Sequence, residues 1–386
     1  MYIAILGRQP ALGIAELERV HGSDSVEFFS PTSATITTDE FSIARLGGTL
    51  KAGRVVAELS GDWRQVSQKI ITQYADAWSK YDGKITLGIS VYGLDVTPRE
   101  VQRTGIVLKQ RLKGSSASLR LIPNAEAELS SATSHHNKLG LSDNKVELLI
   151  VRGKGGKVIV AESIGAQNIT AYAKRDQERP KRDAFVGMLP PKLAQIMINL
   201  SAAPEHSRIL DPFCGTGVIL QEAALMGYPV YGTDLSEKMV DYSKVNLEWL
   251  ANSHHISVTS TIQPGDAMTA VWQQPIDAVV AETYLGQPFS APPSTSKLGE
   301  VRRNCDHILS SFLKNVGTQI KSGTPLCLAI PAWKDANGTF THLSLVDKLG
   351  NLDYERVAFK NVSPLDLLYY REDQIVAREL LVLIKK

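Results

Sequence analysis

The stretch Arg208-Ile-Leu-Asp211-Pro-Phe213-Cys214-Gly215-Thr-Gly217-Val-Ile-Leu-Gln-Glu-Ala-Ala-Leu-Met-Gly227-Tyr-Pro-Val230-Tyr-Gly-Thr-Asp234 decides how the chain folds. Ile209-Leu210 is a short apolar run that ends in a carboxylate, turns through two glycines and enters an alanine- and leucine-rich segment. This predicts strand, Gly-rich turn and helix, with the helix stopping near Gly227, a residue suited to a left-handed C-cap. Val230 to Thr233 then reads as a second strand delivering Asp234, which completes a βαβ unit with an acid at the tip of each strand.

A ligand of such a unit lies over the helix N-terminus. A dinucleotide or nucleoside triphosphate would ask for Gly-x-Gly-x-x-Gly or a Gly-Lys-Ser/Thr ending. Here Gly215-Thr216-Gly217 runs on into Val218-Ile219-Leu220, with neither a third glycine nor a lysine. Asp211 would also repel a pyrophosphate. S-adenosylmethionine (SAM) suits the stretch better, because it is cationic at sulfur and amine and its single carboxylate can meet the helix dipole. Asp234, 17 residues beyond Gly217, stands where an acid accepts hydrogen bonds from ribose hydroxyls. Any doubly wound domain has glycine turns and strand-end acids, so the specificity lies in the whole Asp-Pro-Phe-Cys-Gly-Thr-Gly run with the second acid in register.

With 386 residues, 43% of them hydrophobic, the chain can build two or three cored domains. The net charge of +2 announces no nucleic-acid partner, so any such surface must come from local clustering. Cys214, Cys305 and Cys327 are far apart and form no CxxC pair, which argues against disulfides and a zinc site. The adjacent pairs His135-His136 and His254-His255 have poor geometry for sharing a metal; no metal is expected. The opening Met-Tyr-Ile-Ala-Ile-Leu-Gly is too short for a signal segment, and no apolar run approaches the ~18 residues that cross a bilayer. A cytoplasmic location is the expectation.

Upstream, Tyr2 to Leu6 reads as a buried strand, followed after Pro10 by an amphipathic helix. Val26 to Thr38 reads as β-rich, and Phe41 to Leu59 as mixed helix and strand around Gly47-Gly48. A helix is predicted over Trp63 to Ser79 and a strand over Ile85 to Tyr92. Thr97-Pro98-Arg99-Glu100 then marks a helix start with a capping box and proline in the first turn. Between Arg99 and Lys113, Arg99, Arg103, Lys109, Arg111 and Lys113 face the single acid Glu100. Such a run is ordinarily a solvated face, and it is also what a phosphate-binding face looks like.

The strands Leu119 to Ile122, Val146 to Arg152 and Lys157 to Glu162 follow, and then Ala171 to Asp183, a basic connector suited to a domain boundary. Beyond it, helices from Leu189, from Ser236 and over Val301 to Val316 alternate with strands near Ile256 to Ile262, Ile276 to Glu282, Leu326 to Ile330 and Val376 to Ile384. That alternation predicts an α/β domain with a mostly parallel, doubly wound sheet.

The order Asp-Pro-Phe-Cys-Gly-Thr-Gly, Gly232-Thr-Asp234, Gly265-Asp266 and the strand ending at Glu282 resembles the Rossmann-like SAM-dependent methyltransferases. Further pieces narrow this: Leu46-Gly-Gly-Thr-Leu-Lys51, the basic helix, Leu129-Ser-Ser-Ala132 with Asn137-Lys138-Leu139, Tyr172-Ala-Lys174-Arg175-Asp176 with Arg179-Pro180, and Met188-Leu-Pro-Pro-Lys-Leu193. Together they resemble the tRNA (guanine-N2) methyltransferases acting at tRNA position 10. The resemblance implies a ferredoxin-like α+β domain over 1–65, a THUMP RNA-binding domain over 66–168, a basic linker over 169–188 and the methyltransferase domain over 189–386. It implies tRNA as partner, gripped through Arg99, Arg103, Lys109, Arg111, Lys113, Lys138, Lys174 and Arg175, and it allows a small activator subunit, as some relatives require one. It further implies that Asp211, Phe213, Gly215 and Gly217 line the methionine part of SAM, Asp234 the ribose and Asp266 the adenine.

The family's catalytic Asp-Pro-Pro-Tyr or Asn-Pro-Pro-Phe is replaced here by Glu282-Thr283-Tyr284-Leu285. The acid is one methylene longer, both prolines are missing and the aromatic comes one residue early. An exocyclic amine has its lone pair delocalised into the ring, so it attacks a methyl sulfonium only when held in line with its N–H groups met by acceptors. Glu282 and the Thr283 carbonyl are expected to be those acceptors, with Tyr284 stacking on a base turned out of its helix. Two other readings share these residues: a tRNA binder with a vestigial SAM fold, and an adenine-N6 methyltransferase on RNA or DNA. A small-molecule methyltransferase would leave roughly 170 N-terminal residues without a purpose.

Overall fold

Alternating apolar residues in the N-terminal half and near-continuous apolar runs in the C-terminal half give two different sheets. The computed structural model describes residues 1–183, 189–289 and 291–386. One unit comprises Met1–Pro10, Asp24–Ala44 and Thr49–Thr170; the other comprises Ala11–Ser23, Arg45–Gly48 and Ala171–Lys386.

In chain order the first stretch carries β1 (Tyr2–Leu6), α1 (Pro10–His21), β2 (Val26–Ser30), β3 (Ser33–Ile36), β4 (Thr49–Ser60) and α2 (Trp63–Trp78). It continues with β5 (Gly83–Tyr92), α3 (Pro98–Arg111), β6 (Ala117–Leu121), α4 (Ser131–His136), β7 (Lys145–Arg152) and β8 (Lys157–Ala166). All eight strands join one sheet in the order β2-β3-β1-β4-β8-β7-β5-β6, mostly antiparallel, with β5 parallel to both β6 and β7. Ile85, Leu87, Ile89 and Val91 alternate along β5 and pack with Val101 and Leu108 of α3. The capping box at α3 forms as its sequence predicts: the Thr97 hydroxyl accepts from the Glu100 N–H, and the Glu100 carboxylate accepts from the Thr97 N–H at 2.8 Å. Phe41 to Leu59, expected to mix helix and strand, contains no helix. Thr49–Ser60 is instead a 12-residue strand pairing with β1 and β8.

The second unit contains α5 (Ile169–Gln177) from its Ala171 onward, α6 (Pro191–Ser201), β9 (Ile209–Asp211), α7 (Val218–Leu225), β10 (Val230–Asp234), α8 (Glu237–His254), β11 (Ser260–Pro264) and β12 (Ala278–Glu282). It ends with α9 (Thr295–Gly317), β13 (Pro325–Lys334), β14 (Phe340–Thr341), β15 (Tyr354–Arg356), β16 (Leu368–Tyr369) and β17 (Val376–Lys385). The sheet order is β11-β10-β9-β12-β13-β17-β15, with β14 on β13 and β16 on β17. The first five of these strands are parallel and the rest antiparallel. The chain reverses order beside β9, which puts a crevice beyond the carboxyl ends of β9, β10 and β12. Apolar cores lie on both faces, one around α6, α7 and α8 and the other around α9.

Three boundaries move from their expected positions. α8 runs to His254, so β11 begins only at Ser260. Ser236 precedes α8 without capping it through its side chain; its N–H donates to Asp234 Oδ1 at 2.9 Å. α9 starts at Thr295, capped by Ser294.

Most of α1 belongs to the second unit, and the buried Glu16 and Glu18 with the half-buried Arg19 tie it there. Glu16 accepts from the N–H groups of Gly47 and Gly48 at 2.9 and 2.8 Å and from the Asn199 amide at 2.7 Å. Glu18 accepts from the N–H groups of Lys360 and Asn361, and Arg19 donates to the carbonyls of Leu200 and Ser201. The connector also departs from a solvated linker. Arg175 and Arg179 are buried, and 184–188 lies outside the described residues.

Candidate active site

The carboxyl ends of β9, β10 and β12 open into a cavity of about 540 Å³. Asp211, Phe213, Gly215, Asp234, Asp266, Glu282, Thr283 and Tyr284 all line it. Every expected cofactor-binding and catalytic residue except Gly217 therefore reaches one space. Gly217 acts one step back: at φ +81° it is the N-cap of α7, where a Cβ would come within 2.8 Å of the Ser243 hydroxyl. Gly215, at φ +50°, turns the chain in the same loop.

The loop is fastened by its own acids. Asp211 accepts from the Phe213 N–H at 3.1 Å, and Asp234 Oδ2 accepts from the Gly215 N–H at 2.9 Å. Ser243 donates to the Gly215 carbonyl at 2.8 Å. Asp266 caps its own turn by accepting from the Met268 N–H at 2.9 Å. Among the described residues no lysine or arginine forms an ion pair with Asp211, Asp234 or Asp266. Burial pushes the Asp211 carboxyl well above the usual range; the Phe213 N–H opposes this, while Asp234 and Glu282 add to it. A cavity rimmed with carboxylates lacking counterions favours a cationic guest. SAM fits that demand, being cationic at sulfur and amine, and the first turn of α7 suits its carboxylate.

Glu282 stands apart from these acids because it has a partner. Arg378 of β17 donates through Nε to Glu282 Oε1, and both side chains are largely buried. Burial raises the Glu282 carboxyl above its usual range, and Arg378 opposes that rise without cancelling it. Thr283 is tied to β13, its N–H and hydroxyl donating to the Ala329 carbonyl at 3.0 and 3.2 Å. Tyr284 is 43% exposed and presents its ring at the mouth. Asn304 and Ile308 of α9 complete the lining. Sequence reading missed both of these and Arg378. The available signal for Arg378 was Arg378-Glu379, a charged pair interrupting the apolar run of the last strand, which demands buried partners.

The expected RNA contacts divide. Arg99, Arg103, Lys109, Arg111 and Lys113 are exposed along or just beyond α3, Lys138 is exposed after α4, and Lys174 is half-buried on α5. Arg175 is a correction. Its guanidinium is buried against Glu222, with Nε–Oε1 2.6 Å and a second bond at 3.0 Å, so it binds no outside phosphate. It shares a charge with a helix residue because the connector packs into the second unit.

Residues 179–337 match the family model described as "RMKL-like, methyltransferase domain", and residues 64–245 match one described as "DNA methylase". A tRNA (guanine(10)-N2)-dimethyltransferase of Methanothermobacter thermautotrophicus is 34% identical over 163 residues, 42% of this chain and 44% of the relative. One from Pyrococcus abyssi is 46% identical over 103 residues, 27% of this chain and 26% of the relative. Over the matched residues the chain is similar to these tRNA methyltransferases. It spans less than half the length of the two relatives in these matches. The crystal structure of TrmN from Thermus thermophilus covers 100% of this chain and 99% of its own at 18% identity and a TM-score of 0.53, a likeness of fold. The second unit accordingly has the Rossmann-like fold of SAM-dependent methyltransferases.

Proposed function

We propose that the protein transfers a methyl group from SAM to an exocyclic base nitrogen of RNA, namely guanine N2 in tRNA. The observation that carries this reading is the convergence of Asp211, Asp234, Asp266 and Glu282 on one cavity whose mouth bears the exposed ring of Tyr284. SAM, when bound, supplies an electrophilic methyl group. The protein's own residues do the positioning. Asp211 and the start of α7 hold the methionine end, Asp234 the ribose and Asp266 the adenine amine. Tyr284 stacks on a base turned out of its helix, and Glu282 accepts an N–H of the amine so that its lone pair faces the methyl.

The names of the relatives support tRNA as the partner. In this reading 1–65 is a ferredoxin-like module and 66–168 a THUMP module, with the exposed basic residues of α3 contacting phosphates and positioning the substrate. An activator subunit remains part of the proposal, as does a cytoplasmic site of action, which three buried free thiols support. No described helix is long and apolar enough to cross a membrane.

The test is incubation with labelled SAM and unmodified tRNA followed by nucleoside analysis. N2-methylated guanosine is the expected product. Methylated adenosine would move the assignment to adenine N6, and no methylated nucleoside in any RNA fraction would leave a binder.

A further inference from the structure

We infer that Arg378 is a positioning residue which holds the Glu282 carboxylate in the cavity with one oxygen fixed and the other free to accept from the target amine. This rests on the reading of the cavity as a base-methylating site. Arg378 belongs to β17, two strands from β12 through β13, and does not line the cavity. Its guanidinium reaches across β13 and binds Oε1 of Glu282. Oε2 has no hydrogen-bond partner among the described residues that would compete with a substrate. Glu282 is thereby aimed, as a free carboxylate on a flexible side chain would not be.

The pairing also answers an electrostatic difficulty created by this sequence. Asp211 of β9, Asp234 of β10 and Asp266 after β11 face the same cavity as Glu282, and no cation other than Arg378 meets any of the four among the described residues. α9 offers only the neutral Asn304 and Ile308, and the loop after β12 offers Tyr284. Glu379, the next residue of β17, pairs with His342 and Arg356 instead. Without Arg378, a buried carboxyl among other acids takes up a proton, and a protonated carboxyl presents a donor where the amine needs an acceptor. Glu282 lacks flanking prolines, and an ion pair from another strand does the holding.

The test compares wild type, Arg378→Met, Arg378→Lys and Arg378→Met/Glu282→Gln. The expected result is that Arg378→Met keeps SAM affinity within about twofold but transfers methyl to tRNA about a hundredfold more slowly at pH 7. The rate recovers as pH rises and Glu282 ionises, and Arg378→Lys restores much of the loss. Difference infrared spectra at pH 7 give a readout independent of any substrate: an additional protonated-carboxyl band in the Arg378→Met minus wild-type difference, removed by adding Glu282→Gln. A wild-type rate in Arg378→Met, or a loss equal at every pH, would overturn the inference. If wild type methylates no tRNA, the functional reading fails by itself, and the infrared band alone decides whether Arg378 keeps Glu282 charged.

Discussion

Two buried ion pairs, one in each sheet, use the same chemistry to different ends. In the first unit, Lys51 has its three donors taken by Glu147 at 2.5 Å, the Leu129 carbonyl at 2.6 Å and the Ser90 hydroxyl at 3.3 Å. Lys51 and Glu147 are 2% and 0% exposed. In the second unit, Glu282 gives one oxygen to Arg378 and opens on a cavity with three more carboxylates. The closed pair is sealed from outside, so that even Glu147 Oε2, which has no hydrogen-bond partner, is beyond a ligand's reach. The open one has capacity that the protein does not use itself, which is what a functional site requires.

The largest expected effect comes from breaking the closed pair. Lys51→Met leaves Glu147 buried without its cation, and should cost about 3–5 kcal/mol. The measurement is the urea midpoint of the first unit's unfolding. Replacing both partners, as Lys51→Met/Glu147→Leu, should recover most of the loss, since well-packed apolar side chains match a buried pair. If the double variant is no better than the single, Lys51 and Glu147 act separately and the contrast with the cavity loses its first half.

Glu16 sharpens the comparison, because it is a closed carboxylate with no cation. Burial lifts its carboxyl from 4.5 to about 7, against the opposing bonds from Asn199, Gly48 and Gly47. The folded protein thus keeps a proton that the unfolded chain has released between these values. Stability should be greatest below about pH 4.5 as far as this group is concerned, fall as pH rises toward 7, and level off above, by about 3 kcal/mol in all. Urea midpoints at pH 5 and pH 8 check it: wild type should lose stability across the interval relative to Glu16→Gln, which carries no proton to lose. Equal pH dependence in the two would remove Glu16 from the account.

These contrasts also mark what the sequence could disclose. The βαβ unit was legible because its signals are local: an apolar run, a turn needing positive φ at Gly215 and Gly217, a helix and an acid in register. That Asp211, Asp234, Asp266 and Glu282 share one edge was legible because parallel strands deliver their last residues, or the turn just beyond, to it. The capping box of α3 was local too. Asn304, which lines the cavity, and Arg378, which binds Glu282 from behind it, were not, since each comes from an element remote in sequence, and only strand order brings β17 near β12. Arg175 misled for the opposite reason. Its basic neighbours suggested a solvated surface, while the residue that buries it, Glu222, lies on a helix 47 positions away. Nor did the sequence signal that most of α1 would fold with the second unit, because Glu16, Glu18 and Arg19 read as an ordinary polar helix face until their distant partners are known.

The smallest effect should separate the two kinds of carboxylate most clearly. Asp234→Asn keeps an oxygen to accept one of the two N–H groups, from Gly215 or Ser236, and removes a negative charge facing Asp211. SAM should bind about fivefold to tenfold more weakly, roughly 1–1.5 kcal/mol, because a charged acceptor becomes a neutral one. The urea midpoint of the second unit should stay level or rise, since the repulsion that raises the Asp211 carboxyl is relieved. Calorimetric titration with SAM and a urea curve on the same protein give both numbers. Opposite signs in binding and stability are the mark of a charge held for a ligand, whereas at Lys51 loss of the charge should weaken the fold itself. A drop in stability as large as that of Lys51→Met, with SAM affinity unchanged, would make Asp234 a structural acid and erase the difference between the two regions.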